Sequence, residues 1–122
     1  MEFAITLSFN ENAGIDRSKY LSRLILNRAA NKTFGRRGKT HAIKTYGCID
    51  YTKASQAHTH LLAKLTKSTK DTKPAKLFYK NLCEAAKHFG SRFEVFMAPV
   101  TNPLGYHSYI CSKHIPNNQF VW

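Results

Sequence analysis

Two histidines one residue apart, His58 and His60, are the first residues in this chain whose type and spacing suggest chemistry. Residues two apart in a strand point to the same side, so the stretch AHTHLLAKL (Ala57–Leu65) sets both imidazoles on one face. The stretch before it, about His41–Tyr51, also reads as a strand, and the intervening TKASQ suits an antiparallel hairpin connection. A symmetric join puts Asp50 opposite His58 and Cys48 opposite His60, and residues directly opposite share a face. One face then carries Ile43, Thr45, Gly47, Ile49 and Tyr51 with Ala57, Thr59, Leu61, Ala63 and Leu65. The other carries Lys44, Tyr46, Cys48 and Asp50 with His58, His60, Leu62 and Lys64. A one-residue slip would bury the histidines and expose the leucines, so the pattern itself selects this register. Two imidazoles and a carboxylate on an uncovered face suit Mn²⁺ or Mg²⁺, with water or phosphate oxygens in the open positions. Against this stands the bland reading, in which two polar residues simply face solvent.

A second group lies near the C-terminus. Tyr109 and Lys113 are four residues apart, and Tyr106 and Ile110 fall on the same helical stripe. A tyrosine beside a lysine is a candidate nucleophile, because the ammonium favours phenolate or neutralises charge at a reacting phosphate. Either tyrosine alone would pass for a half-buried helix aromatic.

The elements that must position these groups follow from periodicity. Phe3–Phe9 alternates as a half-buried strand, with Phe3, Ile5, Leu7 and Phe9 on one side. Asp16 caps a helix running to about Asn31, and Thr33–Lys39 is a basic loop. After the hairpin and a Lys/Thr/Ser loop, Pro74 opens a second helix with a stripe of Leu77, Phe78, Leu82, Ala85, Ala86 and Phe89, ending at Gly90. Arg92–Val100 reads as a fourth strand, and a last helix opens at Asn102-Pro103 and closes at Pro116. The order β-α-β-β-α-β-α predicts an α+β, ferredoxin-like antiparallel sheet with helices on one face, all in one domain, residues 1–122. The apolar end Phe120-Val121-Trp122 either docks on the core or mediates self-association.

Composition narrows the partners. In 122 residues, 19 Lys and Arg oppose 7 Asp and Glu, a net charge of +12. Such an excess on a small domain points to a polyanion, with nucleic acid foremost. Arg36, Arg37, Lys39, Lys44, Lys64 and Lys67 are the candidate DNA contacts, although a basic loop and a lysine run are equally at home in solvent. No apolar run is long enough to span a membrane, and no signal peptide is evident, so no membrane partner is expected. Three cysteines without a C-x-x-C pair suit a reducing, intracellular compartment. Gly38-Lys39-Thr40 lacks the first glycine of a phosphate-binding loop and is followed by a strand, so no ATPase is expected.

As a set, these stretches resemble the HUH endonucleases. AHTHLLAKL resembles their His-hydrophobe-His strand, with Thr59 standing where that family usually has a bulky apolar residue. YGCID (Tyr46–Asp50) is similar to the strand that brings the third metal ligand in viral rolling-circle replication initiators. AITLSF resembles their first strand motif, and YICSK (Tyr109–Lys113) their Tyr-x-x-x-Lys nucleophile motif. The resemblance implies nicking of single-stranded DNA through a 5′-phosphotyrosine link. It gives Tyr109 as nucleophile, Lys113 as its assistant, Tyr106 as alternative or second nucleophile, and His58, His60 and Asp50 as ligands of the divalent ion. The tyrosine follows the histidine pair, unlike in conjugative relaxases. Lys113 stands where single-tyrosine transposases carry a glutamine, and both features favour an initiator of a virus or plasmid. Implied partners are an origin or hairpin in single-stranded DNA, a separate helicase, host replication proteins and further copies of the chain. The implied setting is a prokaryotic cytoplasm or a host nucleus. Two alternatives remain at this point: a non-catalytic nucleic-acid-binding module of the same fold, and a single-tyrosine transposase.

Overall fold

Alternating apolar residues build the sheet, and two amphipathic helices close one side of it. The computed structural model describes residues 2–9, 15–35, 43–50, 57–65, 73–89, 93–102, 105 and 119–122. In chain order these form β1 (Glu2–Phe9), α1 (Ile15–Phe34), β2 (Ile43–Asp50), β3 (Ala57–Leu65), α2 (Lys73–Phe89), β4 (Phe93–Pro99) and β5 (Gln119–Val121). The strand order is β4-β1-β3-β2-β5, with every neighbouring pair antiparallel. The fold is therefore α+β and ferredoxin-like, as the element order predicts. Among the described residues no helix is long and apolar enough to cross a membrane.

The core lies between the sheet and the helices. Phe3, Ile5 and Leu7 of β1 and Leu61, Ala63 and Leu65 of β3 are buried against Ile25, Leu26 and Ala29 of α1 and Phe78, Leu82 and Ala85 of α2. Burying the Phe, Ile and Leu side chains among these contributes roughly 1.5–3 kcal/mol each. α1 runs a turn beyond the expected Asn31, because Thr33 bonds back to the Ala29 carbonyl (2.8 Å) and accepts from Asn81 Nδ2 of α2 (2.9 Å). It stops at Gly35, whose φ of +76° is the left-handed conformation that ends helices and favours glycine.

β5 is the element that periodicity did not reveal. The C-terminal residues dock on the core: Phe120 is fully buried, with the Arg23 guanidinium 5.3 Å from its ring centroid. Trp122 Nε1 donates to Asn27 Oδ1 (2.8 Å), and Thr45 Oγ1 donates to the Trp122 carbonyl (3.3 Å). Beside this strand, paired with Phe120, Gly47 has no room for a side chain, because a Cβ there would run into the His60 carbonyl. The start of the expected last helix is visible in one bond, Gly105 N–H to Asn102 Oδ1 at 3.0 Å, the geometry of an N-cap. The segment expected to continue it, with Tyr106, Tyr109 and Lys113, lies outside the described residues.

Candidate metal and nucleic-acid site

The hairpin register is the one the apolar pattern selects: Asp50 pairs with His58, Cys48 with His60, Tyr46 with Leu62 and Lys44 with Lys64. Ile43, Thr45, Gly47, Ile49, Thr59, Leu61, Ala63 and Leu65 are buried. His58, His60 and Leu62 are half-buried on the face away from the helices, and Lys44 and Lys64 are exposed. Cys48 corrects the expectation of a face uncovered throughout. It belongs to the same series yet has no exposure, so this face is closed at Cys48, beside β5.

β1 lies on the other side of β3 and supplies what the hairpin lacks. Ser8 pairs in register with His58, and Thr6 with His60. Their hydroxyls meet the rings, Ser8 Oγ to His58 Nδ1 at 2.9 Å and Thr6 Oγ1 to His60 Nδ1 at 3.3 Å. The two rings are stacked with centroids 6.1 Å apart and planes 26° from parallel. Asp50 is fixed in the backbone register beside His58, but its side chain lies outside the described residues. Among the described residues no three metal-ligating groups converge. The donor set in view is two imidazoles, which fits a divalent ion that takes its remaining ligands from elsewhere.

Thr59 sits between the histidines and faces the opposite way. It is fully buried, and its hydroxyl is 2.8 Å from Ser22 Oγ of α1, which is also fully buried. A hydroxyl in a core position costs roughly 1–3 kcal/mol if unpaired. Ser22 removes that cost, so a polar residue is accommodated where the resembled family is apolar.

Further along the same face, Lys44 stands opposite Lys64, which in turn pairs with Glu2 of β1. Like charges directly opposite are unfavourable in a sheet, and the pair makes a positive spot that suits a phosphate. On the β4 side Phe96 pairs with Thr6 and is 60% exposed, an aromatic ring in solvent one strand beyond the histidine row. Among the other tyrosines, Tyr46 is half-buried on the histidine face, whereas Tyr20 and Tyr79 are exposed on the helices that cover the opposite face. The Tyr79 phenol is raised above its ordinary pKa, first by its side-chain hydrogen bond with Cys83 and then by charge interaction with that thiol and by burial. A raised phenol is poorly suited to act as phenolate.

Of the remaining expected contacts, Arg36, Arg37, Lys39 and Lys67 lie outside the described residues. Ser8, Thr6, Ser22 and Phe96 do not stand out in the sequence. The alternation of AITLSF does put Thr6 and Ser8 on its polar side, which is the available signal. Comparison of the chain with protein-family models, with curated proteins and with solved structures finds no match to any of them.

Proposed function

We propose that the protein is a metal-dependent nickase and strand transferase acting on single-stranded DNA, of the rolling-circle initiator type. The observation that carries this reading is the histidine pair, held on the face of the sheet away from α1 and α2 with both rings tied through Nδ1 to β1 hydroxyls. That side of the sheet also bears the Lys44–Lys64 pair and exposed Phe96, which provide for a phosphate and a base. The segment holding Tyr106, Tyr109 and Lys113 falls, in sequence, between β4 at one edge of the sheet and β5 at the other.

His58, His60 and Asp50 would hold Mn²⁺ or Mg²⁺, which when bound polarises the scissile phosphate and neutralises its charge. The Tyr109 phenolic oxygen attacks phosphorus, its proton passing to solvent. The bond to the 3′-oxygen breaks, that oxygen is protonated, and the 5′-phosphate remains on the tyrosine. Lys113, one helical turn on by sequence, favours the phenolate. Attack by a 3′-hydroxyl on the phosphotyrosine reverses the step and completes transfer. Tyr106 is the second candidate nucleophile.

Phe96 alone would equally serve a non-catalytic binding module, so the test must separate binding from cutting. Labelled single-stranded oligonucleotides of mixed sequence are incubated with the protein, with and without Mn²⁺. Cleavage is expected with Mn²⁺ in the wild type and its loss in His58→Ala/His60→Ala, with binding retained in both. A wild type that binds but never cuts would establish the binding module, and a double variant that cuts at the wild-type rate would remove the metal site.

A further inference from the structure

The β1 residues facing β3 on the histidine side change character in step with their partners. Ala4 pairs with Leu62, whereas Thr6 pairs with His60 and Ser8 with His58. A hydroxyl stands wherever an imidazole is opposite, and both hydroxyls meet the same ring atom, Nδ1. We propose that Ser8 and Thr6 are positioning residues that hold His58 and His60 in the tautomer whose Nε2 lone pair can bind a divalent ion. The proposal rests on the metal reading above.

In a neutral imidazole one nitrogen carries the proton and the other the lone pair. If Nδ1–H donates to the hydroxyl oxygen, Nε2 is left with the lone pair and can ligate. If the hydroxyl donates to Nδ1 instead, Nε2 carries the hydrogen and coordination is blocked. An ion at Nε2 requires the first arrangement, which the β1 hydroxyl, by accepting from Nδ1–H, already favours before any ion is bound. Because β1 is flanked by β3 and β4, its backbone is held on both sides. The acceptor oxygens are therefore fixed relative to the rings before any ion arrives. Ser8, at 2.9 Å, holds its ring more tightly than Thr6 at 3.3 Å.

Two measurements test this without relying on cleavage. Calorimetric titration with Mn²⁺ in the absence of DNA should show roughly 10–100-fold weaker binding in Ser8→Ala, a smaller loss in Thr6→Val, and rescue in Ser8→Thr. Imidazole ¹H–¹⁵N spectra of the metal-free wild type should show His58 protonated on Nδ1, and Ser8→Ala should lose that preference. The spectrum needs no variant, so a wild type with His58 protonated on Nε2 overturns the proposal even if a variant fails to fold. Mn²⁺ binding by Ser8→Ala within about two-fold of wild type, while His58→Ala/His60→Ala binds none, overturns this inference alone. A wild type that binds no Mn²⁺ overturns the metal reading and this inference with it.

Discussion

Thr59 and Ser22 offer a stringent test of how the histidine strand is held, because their hydroxyls are 2.8 Å apart with no exposure on either residue. Removing one partner leaves the other without its bond in the core, at a cost of roughly 1–3 kcal/mol. The two single variants should not be equal. In Thr59→Val, Ser22 sits on α1 and can turn its hydroxyl back to a helix carbonyl, which places the loss near about 1 kcal/mol. In Ser22→Ala, Thr59 is in a strand whose neighbouring carbonyls belong to the ladder, and the loss should lie nearer the upper end, about 2–3 kcal/mol. The double variant removes both polar groups and should recover most of it, giving a coupling of about 2–3 kcal/mol. Urea unfolding reads these differences. With a slope of about 1–3 kcal/mol per molar, Ser22→Ala should lower the midpoint by roughly 1 M with the slope unchanged. Thr59 faces away from the rings, so Mn²⁺ binding by folded Thr59→Val should match wild type. Additive single losses in the double variant, or a Ser22→Ala as stable as wild type, would refute the reasoning.

Three further outcomes follow from the same geometry. Gly47→Ala should destabilise the fold by about 2 kcal/mol or more, because its Cβ would meet the backbone carbonyl of His60 and not a yielding side chain; thermal melting checks this. Replacing Lys44 and Lys64 by Gln should reduce the slope of log affinity against log salt for single-stranded DNA, by about 0.7 for each phosphate that the lysines neutralise. The same change removes the like-charge pairing of Lys44 with Lys64 and the opposite-charge pairing of Lys64 with Glu2 together, so stability should change little. Phe96→Ala should weaken binding to single-stranded DNA by roughly 1–3 kcal/mol if a base stacks there, read by fluorescence anisotropy. With Phe96 60% exposed, the same change should barely shift the melting temperature.

The histidine register was legible because His-x-His beside a leucine-rich alternation tolerates only one pairing. A slip would have exchanged Leu61 and Leu65 for charged and polar residues in the core. The ferredoxin-like class of the first four strands followed from element order. Other features depended on pairings between distant segments. Ser22 precedes Thr59 by 37 residues, and nothing local marks them as partners. Ser8 and Thr6 read as ordinary polar-side residues until β1 is placed beside β3. β5 spans three residues, too short for any period, and its anchor is the packing of Phe120 into a core that local pattern cannot show. Cys48 is a small apolar residue in an otherwise polar series, and its complete burial between β3 and β5 is not something alternation encodes.

The central claim is that a tyrosine of the C-terminal segment becomes joined to DNA under the control of the histidine site. Mass spectrometry of the protein after incubation with single-stranded oligonucleotide and Mn²⁺, followed by peptide mapping, tests it most directly. The account predicts a nucleotide adduct on Tyr109 that is absent from Tyr109→Phe and from His58→Ala/His60→Ala. An adduct on Tyr106 would move the nucleophile by one turn. An adduct on Tyr20 or Tyr79, which project from helices covering the opposite face, or no adduct while the oligonucleotide is cut, would contradict the account.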